Sequence, residues 1–147
     1  MLHLPHRKRW MHKMKKRMNN LQKRRICERE CISFSFVQTG KGKFMNYQVQ
    51  ENCLTIFLPH ELDHHNAEEI RRESDRLIEK HHIRYVIFDF EETNFMDSSG
   101  IGVIMGRYKR LYMMGGEVCA VHTSDRVKKI LTMSGTAKIM QIYEEEQ

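Results

Sequence analysis

The stretch that decides the fold is Tyr85-Val86-Ile87-Phe88-Asp89-Phe90, the most strand-like run in the chain. Its almost unbroken apolar character predicts a central strand that is buried on both faces. A loop from Glu91 to Asp97 follows, and it leads into a helix predicted from about Ser98 to Met113. Gly115-Gly116 is expected to end that helix and turn the chain. A buried strand followed by a loop and a helix indicates an α/β fold.

The same alternation continues on both sides of this unit. Upstream, strands at about 46–51 and 53–58 are close enough in sequence to form an antiparallel hairpin. A helix from about Asn66 to His81 follows, and helical spacing places four apolar side chains on its inner face: Ala67, Ile70, Leu77 and Ile78. Downstream we predict a strand at Val118–Val121, a helix from Ser124 to about Gly135 and a last strand at Lys138–Ile142.

The order of these elements is β-β-α-β-α-β-α-β. Strands that alternate with helices pair mostly in parallel, through right-handed crossovers. The predicted fold class is therefore α/β, a small single domain with a mostly parallel central sheet. An antiparallel hairpin forms its N-terminal edge, and helices pack on it.

The composition agrees with one domain and excludes several protein classes. The 147 residues are 40% hydrophobic and 30% charged, and no apolar stretch approaches the ~18 residues of a membrane-spanning helix. Four scattered cysteines, Cys27, Cys31, Cys53 and Cys119, are too few for the disulfide framework of a small secreted protein. The N-terminus lacks the unbroken apolar core of a secretory signal. We therefore expect a cytoplasmic protein whose folded domain has no membrane as a partner.

The net charge of +6 divides sharply at Met45. Residues 1–44 carry 13 Lys and Arg against Glu28 and Glu30, whereas residues 45–147 carry 12 against 17 Asp and Glu. A basic extension with a net charge of +11 thus precedes an acidic domain with a net charge of −5. Three interpretations of residues 1–44 stay open: a patch that binds nucleic acid or anionic membranes, a dispensable extension, or sequence upstream of a true start at Met45. In each case we expect no packed core there.

The run His60-Glu61-Leu62-Asp63-His64 fits the H-E-x-x-H pattern of zinc peptidases. That pattern binds zinc because a helix places its two histidines one turn apart. Here Pro59 precedes the run, which spans a loop and a helix start, and no third ligand is evident. We therefore predict no metal site.

A second pattern, Gly100-x-Gly102-x-x-x-Gly106, invites a dinucleotide-binding interpretation. The loop that separates it from the preceding strand is too long for that fingerprint. We favour a structural role, in which Gly102 and Gly106 let the helix lie close against the sheet.

The segment Met96-Asp97-Ser98-Ser99-Gly100 lies where the loop meets the helix. It lacks the G-x-S-x-G spacing of a hydrolase nucleophile, and the sequence places no general base beside it. Asp97, Ser98 and Ser99 are typical of a helix N-cap. A phosphate on a hydroxyl there is tolerated, because the helix N-terminus favours negative charge. At an interface, the same charge would weaken binding.

These residues also carry a family resemblance. The run from Phe95 to Lys109, FMDSSGIGVIMGRYK, resembles the phosphorylation segment of bacterial anti-sigma factor antagonists of the STAS-domain family, in particular the sporulation antagonists. The runs Glu61-Leu62-Asp63-His64-His65, Gly115-Gly116-Glu117 and Met133-Ser134-Gly135 match in the same order. The likeness extends from about Met45 to Ile142, so residues 45–147 are predicted to be a STAS domain.

The resemblance implies a regulator that switches partners, is not an enzyme and needs no cofactor. An unphosphorylated antagonist binds an anti-sigma factor that is also a serine kinase, and a sporulation sigma factor is released. The kinase uses ATP to phosphorylate the antagonist, which dissociates until a serine phosphatase restores it. The domain is expected to be a monomer that does not itself bind nucleic acid.

The resemblance also implies which residues act. Ser98 is the implied phosphoacceptor, with Ser99 as the second choice. The implied partner-binding residues are Glu61, Asp63, Asp97, Ser99, Gly100 and Gly102. One difference is His60, where the family usually has glycine.

Two alternative functions make distinct predictions. A nucleic-acid-associated protein acting through residues 1–44 would bind with an affinity that falls steeply with salt and is lost when the tail is removed. A zinc peptidase would contain stoichiometric metal.

Overall fold

The computed structural model describes residues 37–41 and 45–143. Three helices, a short 3₁₀ helix at Thr136–Lys138 and eight strands lie in these ranges. The strands are β1 (Val37–Lys41), β2 (Asn46–Gln50), β3 (Cys53–Phe57), β4 (Glu61–Leu62), β5 (Tyr85–Asp89), β6 (Phe95–Met96), β7 (Glu117–Val121) and β8 (Gln141–Tyr143). The helices are α1 (His64–Lys80), α2 (Ser98–Met113) and α3 (Asp125–Met133).

Six strands form one mixed sheet in the order β1-β2-β3-β5-β7-β8. The pairs β1–β2 and β2–β3 are antiparallel, and the remaining pairs are parallel. This arrangement confirms the α/β class, the hairpin between β2 and β3 and the mostly parallel sheet. A second sheet, of two short strands, pairs β4 with β6 in parallel.

The core forms where the sequence is most apolar. Every residue of β5 is buried, as expected for a central strand with neighbours on both sides. The four apolar residues predicted for the inner face of α1 are all buried as well. Among the described residues, no helix is both long and apolar enough to cross a membrane.

An ion pair between a buried arginine and a half-buried aspartate joins α1 to α2. The side chain of Arg107 in α2 is only 6% exposed, and its Nε lies 3.1 Å from Oδ1 of Asp75 in α1. Arg110 Nη1 lies 3.1 Å from the same oxygen. Burial lowers the pKa of Arg107, and the Asp75 charge opposes that change. Asp75 therefore compensates a charge that would otherwise be buried alone.

Three features differ from the sequence predictions. Residues 37–41, within the segment predicted as the basic extension, form β1 and join the sheet. Their sequence did not predict a strand because it has few apolar residues, and backbone pairing is enough to hold an edge strand. The last strand begins at Gln141 rather than Lys138, because the 3₁₀ helix occupies Thr136–Lys138. The two-residue strands β4 and β6 were not predicted, since so short a run has no periodicity. The rest of the extension lies outside the described residues.

Candidate functional site

Two helix N-termini meet beside the small second sheet. Glu61 in β4 pairs with Phe95 in β6, and Leu62 pairs with Met96. Each strand is followed by one aspartate and then by a helix, so parallel pairing brings the starts of α1 and α2 side by side. The backbone N–H of Asp97 donates to the Leu62 carbonyl at 3.2 Å, which extends this pairing to the start of α2.

The first of these aspartates, Asp63, is the N-cap of α1. Its Oδ1 accepts from the backbone N–H groups of His65 at 3.0 Å and Asn66 at 3.4 Å. Asn66 Oδ1 in turn accepts from the Asp63 N–H at 3.0 Å, which completes a capping box. Asn66 Nδ2 also donates to the Glu61 carbonyl at 2.6 Å. The short run Glu61-Leu62-Asp63, called the acidic segment below, is therefore held against the start of α1.

The second aspartate, Asp97, is the N-cap of α2 and also accepts a hydrogen bond from the start of α1. Its Oδ1 accepts from the N–H groups of Ser99 at 2.8 Å and Gly100 at 3.1 Å in α2. Its Oδ2 accepts from the N–H of His64, the first residue of α1, at 3.2 Å. Desolvation acts to raise the pKa of Asp97, but these three backbone hydrogen bonds together with the nearby His64 side chain lower it below its ordinary value. Asp97 therefore stays ionised where the two helix dipoles converge.

Ser98 is the first residue of α2, and its side chain is exposed. Ser99 is half-buried. At the edge of β6, Phe95 is 41% exposed, which is unusual for a large aromatic residue. Its partner Glu61 in β4 is also exposed. The structure thus places the acidic segment, an exposed aromatic ring and the serine of the motif on adjoining positions.

The three glycines of α2 have different surroundings. A Cβ at Gly100 would lie 2.4 Å from the Leu62 carbonyl oxygen, so only glycine lets α2 approach β4 this closely. A Cβ at Gly102 or Gly106 would meet nothing within 4 Å. The prediction that Gly102 and Gly106 allow close helix packing is therefore wrong, and Gly100 has that role. Gly102 is exposed, one helical turn after Ser98.

The H-E-x-x-H run does not lie on one helix. His60 precedes β4, Asp63 is the N-cap and His64 begins α1, so the two histidines do not share a helix face. Among the described residues, the atoms close enough to share a metal ion belong to Asp89, Glu91 and His122, a group without either of these histidines. The described non-glycine residues with positive φ are Glu51, His82 and His122, so the backbone at His60 does not require the family's glycine.

A family model described as the STAS domain matches residues 44–147. The chain belongs to the STAS family. The match begins one residue before the start predicted from the sequence, and β1 precedes it.

Named relatives of this STAS domain are regulators. An anti-sigma F factor antagonist from Paenibacillus polymyxa is 38% identical over 106 residues, which cover 69% of this chain and 91% of the relative. An anti-sigma F factor antagonist from Lysinibacillus sphaericus is 33% identical over 104 residues, which cover 71% and 89%.

Two solved structures that resemble this chain are both of the protein SpoIIAA. The unphosphorylated form of the anti-sigma factor antagonist SpoIIAA superposes with a TM-score of 0.61 at 29% identity, covering 76% of this chain and 89% of that chain. The phosphorylated form of SpoIIAA, a cell fate determinant of Bacillus, gives a TM-score of 0.56 at 28% identity, covering 76% and 92%.

Sequence reasoning missed two features of this site. The motif contains Phe95, but the sequence does not indicate that its ring is exposed, because that exposure depends on the unpredicted strand β6. The double role of Asp97 was also missed, because the link to His64 spans 33 residues of sequence. The partner-binding roles of Glu61, Asp63, Ser99, Gly100 and Gly102 remain predictions.

Proposed function

We propose that this STAS domain is an anti-sigma factor antagonist that is switched off by phosphorylation of Ser98. In its unphosphorylated form it binds an anti-sigma factor with serine kinase activity, and a sporulation sigma factor is released. The observation that carries the proposal is the exposed hydroxyl of Ser98, which adjoins the acidic segment at the meeting point of two helix N-termini. The names of the relatives and of the SpoIIAA structures support the same function.

The proposed docking surface consists of exposed residues around Ser98. We define it by the members Glu61, Phe95, Ser98 and Gly102. Phe95 supplies the apolar anchor, since a few exposed aromatic residues often dominate a protein interface. Glu61 supplies negative charge, which suits a basic face on the partner. Gly102 lets the partner approach the helix backbone closely, because no side chain stands there.

The negative charge of a phosphate on Ser98 explains how phosphorylation would prevent partner binding. Phosphorylation adds about −1.5 to −2 charges at Ser98. The N–H groups that begin the two helices already donate to carboxylates: those of Ser99, Gly100 and His64 to Asp97, and those of His65 and Asn66 to Asp63. The phosphate therefore adds to a surface that is already acidic. Repulsion and the cost of desolvating the dianion then oppose docking of the partner.

In this proposal the chain performs no catalysis and needs no cofactor. The partner kinase supplies ATP and the chemistry of phosphoryl transfer, and a separate serine phosphatase reverses the modification. The domain acts as a monomer in the cytoplasm and uses neither nucleic acid nor membrane as a partner. Its specificity resides in the docking surface, while Ser98 determines whether that surface is usable.

The proposal is tested by intact-mass spectrometry of the full chain after incubation with the cognate anti-sigma kinase and ATP. The wild type is expected to gain one phosphate, Ser98→Ala none, and the matched control Ser99→Ala one. Phosphate on Ser98→Ala but not on Ser99→Ala would move the acceptor to Ser99. No phosphate on the wild type, with a kinase that is active on its own antagonist, would overturn the switch.

A further inference from the structure

One carboxylate connects the phosphoacceptor helix to the acidic segment. Asp97 uses Oδ1 for two N–H groups of α2 and Oδ2 for the N–H of His64 in α1. Its own N–H donates to Leu62 in β4. A typical N-cap residue serves one helix, because its side chain reaches only the N–H groups of the following turn. Asp97 therefore makes contacts that an ordinary cap does not.

We propose that Asp97 is a positioning residue that fixes α1 and the acidic segment relative to Ser98. This inference rests on the proposed function for its effect on partner binding. The family resemblance implies that Asp97 contacts the partner directly. The geometry points instead to an indirect role, because both carboxylate oxygens are engaged by backbone N–H groups of the chain itself.

The hydrogen bond from His64 to Asp97 lies where α1 and α2 both begin, beside Ser98. β4 and β6 are only two residues long, so their pairing alone constrains the two helix starts weakly. The ion pair of Arg107 with Asp75 joins α1 and α2 farther along both helices. The bond from His64 to Asp97 joins the first residue of α1 to the N-cap of α2, directly beside Asp63 and Ser98. Loss of this bond is expected to free the start of α1 from α2.

Asp97→Asn separates the two functions of the side chain. The asparagine Oδ1 can still accept from Ser99 and Gly100, and asparagine is a good N-cap, so the cap of α2 is retained. The side-chain NH₂ group then stands where Oδ2 was, and it cannot accept from the His64 N–H. Flipping the amide would restore that bond but lose two others, so the first orientation is favoured. Asp125→Asn is the matched control, since it removes the same charge from the first turn of α3.

The first readout is solvent exchange of backbone N–H groups, measured by NMR on the full chain. A hydrogen bond to a charged acceptor contributes about a factor of ten to an equilibrium constant. Asp97→Asn is therefore expected to speed exchange at His64 about tenfold, with Ser99 and Gly100 unchanged. Asp125→Asn is expected to leave all three rates unchanged. An unchanged His64 rate in Asp97→Asn, or equal acceleration at Ser99 and Gly100, would overturn the proposal.

The second readout is the dissociation constant for the anti-sigma F factor of Paenibacillus polymyxa. Asp97→Asn is expected to weaken binding about tenfold, and Asp125→Asn to leave it unchanged. Wild-type affinity in Asp97→Asn, despite faster His64 exchange, would overturn the positioning role. If the wild-type chain itself does not bind, the proposed function fails for this partner, and the exchange rates still decide whether Asp97 couples the helices.

Discussion

Replacing Gly102 with alanine is expected to stabilise the domain, whereas the same change at Gly100 is expected to destabilise it. Alanine in a helix interior is favoured over glycine by about 0.5–1 kcal/mol. At Gly102 the new Cβ meets nothing within 4 Å, so the whole gain is retained. For a domain of about 100 residues this gain corresponds to a rise in Tm of roughly 3–6 °C.

At Gly100 the new Cβ would lie 2.4 Å from the Leu62 carbonyl oxygen and 2.9 Å from Leu62 Cγ. Relieving such contacts by shifting the backbone costs about 1–3 kcal/mol, which exceeds the helix-forming gain. The net loss of about 0.5–2 kcal/mol corresponds to a fall in Tm of roughly 3–12 °C.

Thermal unfolding followed by circular dichroism measures both effects, and Gly106→Ala is the matched control. Gly106 also has nothing within 4 Å of an added Cβ, so its substitution is expected to raise Tm as at Gly102. Gly102→Ala is also expected to weaken binding of the anti-sigma factor, since its methyl group enters the docking surface, whereas Gly106→Ala is not. A Gly102→Ala variant less stable than wild type, or a Gly100→Ala variant equally stable, would refute this account of α2.

Three further predictions concern named side chains. Phe95→Ala is expected to weaken binding of the anti-sigma factor by at least tenfold, because Phe95 is 41% exposed and its ring is the apolar anchor of the docking surface. Titration calorimetry would measure the affinity, and an unchanged dissociation constant would contradict this role. Asp75→Asn is expected to lower the free energy of unfolding, measured in urea, by about 3 kcal/mol, because Arg107 loses its counter-charge. The double variant Asp75→Asn with Arg107→Met is expected to recover part of that loss. The pKa of Asp97 is lowered in the folded state, so ionised Asp97 stabilises the fold fully above about pH 4. This stabilisation is lost as the pH falls through the folded-state pKa of Asp97. The difference in Tm between wild type and Asp97→Asn is therefore expected to shrink between pH 5 and pH 2, and a difference that grows would contradict this sign.

Features with a strong local signal could be predicted from the sequence. The unbroken apolar run at Tyr85–Asp89 is the buried central strand, and the helical spacing of Ile70 and Leu77 gives the inner face of α1. The hairpin follows from the short connection between β2 and β3, and the parallel order follows from the alternation of strands with helices. The position of Ser98 at a helix start follows from the capping chemistry of Asp97.

Features that depend on contacts between distant residues could not be predicted. β1 and the pair β4–β6 are held mainly by backbone pairing, which leaves little trace in the pattern of side chains. The environments of Gly100 and Gly102 differ because of Leu62, about 40 residues earlier, although both glycines belong to one motif. Spacing on a helix shows that two residues share a face, but it does not show what that face meets.

The proposed switch is tested most directly by the affinity of the full chain for the cognate anti-sigma factor, before and after stoichiometric phosphorylation of Ser98. Titration calorimetry on both forms at one ionic strength measures it. The unphosphorylated chain is expected to bind tightly and to lose at least a hundredfold in affinity on phosphorylation, about 2.7 kcal/mol. Equal affinity of the two forms would contradict the switch at Ser98.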